Sequence, residues 1–370
     1  MENLIFFILF LLSIININVK GNNNFYYDYM ELKNTNSIKG IFVWMIILSH
    51  YKNYYKKKKC LYKIILKCFG QKMVSLFLFY SGFGIFESIK KKGNKYIKTL
   101  INKAMILFFK SQIILIFFLL NNFFLGIKMT LKNYFLSIIF KQNIGNSNWF
   151  AFTIICFYIY SYISFIFINH NFYILGIIIL NIICLFHIYL VYNFYYPNMR
   201  YTIDNTLCFI VGFYYSLLNN FLNKIIMKND IIYFFSLSCL ILNYYYFYIY
   251  TIKTIWIVLF MNCFFSLIIV FISMKIRFNN EFLNLLNSHS FSIYLLQRII
   301  MRFIYFKKYF QNNELIRFFF EFILILLISL TFDNYTTCID YYFRDKKYQK
   351  KALINDEKQK MIATPKQINN

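Results

Sequence analysis

Apolar segments long enough to cross a bilayer follow one another along almost the whole chain, and this succession limits the possible folds more than any other feature. A helix needs about 20 apolar residues to span the hydrocarbon core, and lipid offers the backbone no water, so only helices or closed barrels can cross it. The runs are continuous instead of alternating, which selects helices. They lie near residues 4–19, 38–54, 73–89, 104–125, 149–168, 172–191, 203–218, 231–250, 254–274, 289–306 and 315–332. The stretch LKNYFLSIIF at 131–140 is too short to cross and precedes the polar loop KQNIGNSN, so it is expected to be an interfacial or re-entrant piece. The fold class predicted is an all-α integral membrane protein with about ten core transmembrane helices and one extra N-terminal helix.

The formal net charge of +26 could suggest nucleic acid, but the lysines concentrate in hydrophilic gaps and the tail, where they flank apolar runs. That is the charge pattern of membrane loops. No zinc spacing, arginine-rich groove motif or soluble domain accompanies them, so nucleic acid is excluded as a partner. The eight cysteines form no CxxC pair and sit mostly inside apolar runs. They read as small hydrophobes, with no disulfide framework and no metal site.

Three regions are expected: a hydrophobic helix and linker at 1–30, a transmembrane domain at 31–335 and a basic cytoplasmic tail at 336–370. The first run begins with Glu2 instead of basic charge and lacks a small-residue cleavage site after it, so a retained anchor is favoured over a cleaved signal. Lys90, Lys91, Lys92, Lys95, Lys98 and Lys103 fill one gap, and a comparable cluster follows Arg344. Eight expected spans separate the two clusters, an even number, so both can be cytoplasmic as the positive-inside rule requires. The lysine-rich gap at 52–72 then falls on the opposite face, against that rule.

Within SIKGIFVWMIILSH, residues 37–50, Lys39 and His50 are eleven residues apart, which at about 100° per residue returns them to nearly one helix face, about 16 Å apart along the axis. One face thus carries a cation and a titratable base; a snorkelling lysine and an interfacial histidine would give the same pattern. Other ionisable residues in or beside apolar runs are Asp204, which reads as a helix cap, and Arg298 and Arg302, four apart on one face as a functional pair or a snorkelling stripe. His170 and His187 read as tolerated core or boundary histidines, and Glu87 as an ion-pair partner of Lys90 and Lys91.

Four blocks together resemble the acyltransferase 3 family of polytopic membrane O-acyltransferases, in the same order. SIKGIFVWMIILSH is similar to that family's first core helix, and VSLFLFYSGFGIFESI to its phenylalanine-rich Ser-Gly-Phe helix. The basic stretch KKKGNKYIKTLINKAMILFFK follows it. NSNWFAFTIICFYIY resembles the Trp-Phe helix, and NSHSFSIYLLQRII the late Ser-x-x-Ile-Tyr-Leu block. The resemblance implies transfer of an acyl group, acetyl in the first instance, from acyl-CoA to a carbohydrate hydroxyl, with His50 as catalytic base. Lys39, Lys98 and Lys103 would engage the phosphates of coenzyme A. No metal is implied, and the partners are acyl-CoA, the carbohydrate acceptor and the bilayer; the expected location of this multi-pass protein is the plasma membrane, or another membrane in a eukaryotic or viral source. Lysine stands at position 39 where the family usually has arginine, Lys98 and Lys103 stand near its Arg-x-Arg, and Gln297 replaces a common histidine. A transporter or flippase of glycan precursors and a catalytically inactive relative are the alternatives, and a covalent intermediate on Ser81 is a minor one.

Cysteine-accessibility labelling should find positions 95 and 355 on the same membrane face; labelling from opposite faces would overturn the even count of spans between them.

Overall fold

The structure is a computed structural model, and it describes residues 2–54, 72–142, 144–145, 148–168, 172–195, 200–250, 254–307 and 313–343. Each expected apolar run contains a helix: α1 (Glu2–Ile14), α2 (Leu32–Tyr54), α3 (Lys72–Lys92), α4 (Asn94–Phe124), α6 (Asn148–Phe165), α7 (Tyr173–Tyr195), α8 (Arg200–Ile226), α9 (Asp230–Tyr250), α10 (Ile255–Lys275), α12 (Ser290–Phe306) and α13 (Glu314–Tyr335). Short helices α5 (Leu131–Ile138), α11 (Glu281–Ser288) and α14 (Thr337–Phe343) complete the helical set among the described residues. His170, most of the 52–72 gap and the tail from Arg344 lie outside them.

Among the described residues, seven helical stretches are long and apolar enough to cross a membrane: α3, α4, α6, α7, α9, α10, and α13 running on into α14. The expected spans α2, α8 and α12 are not among them. α12 has 17 residues, and α2 and α8 are diluted by polar side chains. The cause is positional, because these three carry Lys39 and His50, Asp204, and Arg298 and Arg302. A helix that presents such groups to the bundle interior is less apolar along its length than one that faces lipid all round.

Two glycines let α3 and α8 pack backbone to backbone. A Cβ on Gly82 of α3 would stand 2.1 Å from the Phe209 carbonyl oxygen of α8, and one on Gly212 of α8 would stand 2.2 Å from the Phe79 carbonyl oxygen of α3. Each helix thus accepts the other's backbone, as small residues allow inside membranes. The fully buried rings of Phe79, Phe86, Phe209 and Phe213 fill the seam, and Phe157 of α6 stacks on Phe209 at 4.4 Å between centroids.

The first run departs from expectation in length. α1 ends at Ile14, Asn16 turns the chain at φ 60°, and β1 (Ile17–Val19) pairs antiparallel with β2 (Ile276–Phe278). Residues 12–30 are then fastened to the segment 274–280. Asn280 donates to the Leu12 carbonyl at 2.6 Å, the Lys20 and Tyr26 amides donate to the Lys275 and Met274 carbonyls, and Arg277 pairs with Asp28. Lys275 pairs with Asp230 at 2.5 Å.

α5 is a separate short helix: Thr130 caps its start by accepting from the Asn133 amide, and Ser137 is its one buried residue. Asp204 does not cap a helix. α8 begins at Arg200, so Asp204 is inside its first turns, 1% exposed and 3.6 Å from the Arg200 Nε. Glu87 pairs with Lys90 at 2.5 Å, as expected.

Gly82→Ala should destabilise the protein by about 1–3 kcal/mol through overpacking, whereas Gly84→Ala, with nothing within 4 Å of its new Cβ, should be neutral or stabilising by up to about 1 kcal/mol. Thermal unfolding of the detergent-solubilised variants distinguishes the two.

Candidate active site

α2 and α12 run side by side in the same sense. At one end Ser37 donates to the Asn284 side-chain oxygen of α11 at 2.8 Å; at the other Arg298 Nη2 donates to His50 Nδ1 at 3.1 Å. Between these ties lies a cavity of about 320 Å³. α2 lines it with Lys39, Val43 and Ile46, α3 with Val74, Phe77, Tyr80 and Ser81, α4 with Leu107, and α6 with Phe150, Ile154 and Tyr158. The segment 287–297, entering α12, supplies the rest, including Asn287, Ser290, Tyr294 and Gln297. On α2 and α6 the lining residues recur every three or four positions, which is one helical face. His50 is the next member of the Lys39, Val43, Ile46 series.

His50 is not itself in the cavity wall. Tyr294 is, and its ring stands 6.2 Å from the His50 ring, 4.9 Å from Phe150 and 6.3 Å from Trp149. The imidazole therefore sits just beyond an aromatic partition, half-buried like Lys39. A guanidinium can only donate, so the nitrogen facing Arg298 accepts, and the neutral ring carries its proton on Nε2.

The two basic candidates on α4 are placed differently. Asn121 donates to the Ile299 carbonyl at 3.4 Å, so the C-terminal part of α4 lies at the His50 end. Lys103, eighteen residues earlier, is about 27 Å back along the axis, toward the Lys39 end. It shares a face with Leu107 one turn on, and donates to the Tyr96 hydroxyl at 3.0 Å. Lys98 is exposed and lies about 140° around the helix from Lys103. The structure thus sets Lys39 in the cavity wall, His50 just beyond that wall and Lys103 toward the Lys39 end, and it leaves Lys98 outside.

Sequence reasoning assigned no part to Tyr294, and it missed a buried ionic group beside His50. Arg317 Nε and Nη2 donate to the Tyr51 hydroxyl, both at 3.3 Å, and Glu314, Arg317 and Glu321 are 8%, 5% and 1% exposed. Their spacing of three and four residues inside an apolar span was the available signal. His187 is a core histidine, 4% exposed and 2.8 Å from the Tyr160 hydroxyl. His289 instead pairs with Asp333 at 2.6 Å. Among the described residues no group of three or more histidine, cysteine or acidic side chains is assembled as a metal site.

Every residue lining the cavity belongs to one of the four sequence blocks or to the basic stretch after the second. The acyltransferase 3 family model, described as an acyltransferase domain, matches residues 32–333, and the chain belongs to that family. It is a membrane acyltransferase, a bilayer protein that binds an acyl donor and an acceptor. No curated protein and no solved structure matches it.

If Lys39 holds an anionic donor group, Lys39→Arg should preserve or raise activity, because guanidinium adds bidentate contact at full charge, and Lys39→Gln should abolish most of it. Donor KM measured on the purified variants checks this; equal KM for all three would remove Lys39 from the donor site.

Proposed function

We propose that this protein transfers an acyl group, acetyl in the first instance, from acyl-CoA to a hydroxyl of a carbohydrate, and that the cavity between α2 and α12 receives the acyl-bearing arm of the donor. The observation that carries this reading is the shared stripe of α2, with Lys39 at one end of the cavity and His50 one turn beyond its last lining residue. The eleven residues between them extend about 16 Å, a length that a pantetheine arm can follow. Lys39 and Lys103 then serve the phosphates, and Lys98, exposed on another side of α4, adds only long-range positive charge at that end.

The chemistry follows from what the groups can do. The acceptor hydroxyl loses its proton to His50 as its oxygen attacks the thioester carbonyl, the carbon–sulfur bond breaks, and the coenzyme A sulfur leaves with the proton returned by the imidazolium. Histidine suits both steps because its ordinary pKa lies near neutrality. Direct transfer needs no covalent enzyme intermediate, so Ser81, although it lines the cavity, has a packing role beside Gly82. Apolar walls around the thioester strengthen any donor aimed at the developing oxyanion.

His50→Ala should insert normally and lower turnover by about a hundredfold or more. Mass spectrometry of glycan O-acylation in cells with and without the gene, together with transfer of labelled acetyl from acetyl-CoA by the purified protein, reads this out. A His50→Ala protein that acylates at the ordinary rate would sink the mechanism.

A further inference from the structure

At the His50 end of the cavity stand two guanidiniums that meet no counter-charge among the described residues. Arg298 and Arg302 are one turn apart on the same face of α12, which sets their Cβ atoms about 6 Å from each other. Neither has a described carboxylate within ion-pair distance, whereas Lys90, Lys110, Arg200, Lys275 and Arg277 each do. Both are half-buried, and the Arg298 Nε is buried with no hydrogen-bond partner among the described residues. A buried guanidinium donor left unmet is costly, and a protein retains one where a ligand meets it.

These arginines are also held in place, which separates them from side chains reaching for the membrane surface. Arg302 Nη1 donates to the Ile144 carbonyl at 3.0 Å. Gly145, at φ +106°, leaves room for that guanidinium: a Cβ there would stand 1.9 Å from Nη1. Asn122 of α4 donates to the same carbonyl at 3.4 Å, so the acceptor of Arg302 is itself held from α4. Arg298 is held by His50.

We infer that Arg298 and Arg302 bind an anionic group, carboxylate or phosphate, carried by the carbohydrate acceptor. The inference rests on the acyl-transfer reading for the word acceptor, and it adds a substrate class to it. It also gives the contact between Arg298 and His50 a purpose. In the arrangement described, Arg298 occupies the lone pair of Nδ1, the nitrogen that must accept the hydroxyl proton. An anion seated between the two guanidiniums offers Arg298 a stronger, charge-assisted partner; once Arg298 turns to it, Nδ1 is released to act as base. Acceptor charge and base activation are thereby coupled, so a neutral acceptor fails in turnover as well as in binding.

The test uses the full-length protein in zwitterionic lipid nanodiscs and three matched oligosaccharides: neutral, glucuronic acid-terminated and phosphorylated. Binding is followed by intrinsic fluorescence without acyl-CoA, and transfer separately with acetyl-CoA. A charged saccharide should bind about tenfold or more tightly than the neutral one, as expected for charge-assisted contacts. Arg298→Gln with Arg302→Gln should erase the difference and Arg302→Lys should keep part of it; which charged sugar wins separates carboxylate from phosphate. Equal wild-type binding of all three, a reading that needs no variant to fold, would overturn the inference, as would a charge preference indifferent to both substitutions. Arginine-dependent anion binding without any acetyl transfer would instead defeat the acyl-transfer reading and leave this site standing, and transfer to neutral sugars at full rate would do the reverse.

Discussion

The alignment of α2 with α12 is the contact on which the rest of the site depends. A bilayer protein must keep its outer surface apolar, so ionisable side chains turn inward and need a neighbour that accepts them. α2 carries Lys39 and His50 at a separation that places both on one face, and the segment 284–298 ties this helix at two points, Asn284 accepting from Ser37 and Arg298 donating to His50. The cavity is the space these two ties leave between the helices. α3, α4 and α6 close it with mostly apolar side chains.

Tyr294 stands between this space and His50. Its ring meets Phe150 and Trp149 on one side of the bundle and His50 on another. The cavity wall is mostly phenylalanine, isoleucine and valine with Lys39 and a few hydroxyls and amides, and beyond Tyr294 stand His50 and Arg298. Under the proposed reaction, the apolar cavity suits a thioester arm and the cationic group beyond it a charged partner.

The helices were legible because each run is longer than a buried strand could be and none alternates. The ribbon of β1 and β2 was not, since three-residue strands carry no pattern, and the end of α1 at Ile14 depends on a partner more than 250 residues away. Lys39 and His50 could be paired on one face from spacing alone. Their relation to the cavity could not, because it needs the position of Tyr294, which the sequence marks as the tyrosine of the Ser-x-x-Ile-Tyr-Leu block without showing that it stands between the cavity and His50. Arg298 was visible as a charge in an apolar helix, but its contact with His50 is tertiary. Glu314, Arg317 and Glu321 passed unnoticed because the leucine, isoleucine and phenylalanines between them make the helix look ordinary. The distinction between Lys98 and Lys103 is a matter of helix phase, which becomes meaningful only once Leu107 shows which side of α4 faces inward.

The ribbon also orders events during synthesis. β1 leaves the ribosome with the first helix, but its partner strand β2 begins at Ile276, after eight further apolar runs. At roughly 5–20 residues per second the wait is on the order of tens of seconds. Throughout it, the backbone edge of β1 stays without its partner strand, with Lys20 and Asp28 close by in sequence. The ribbon therefore closes while α12 and α13 are still to be made, and the second strand to emerge is the one that fastens the first.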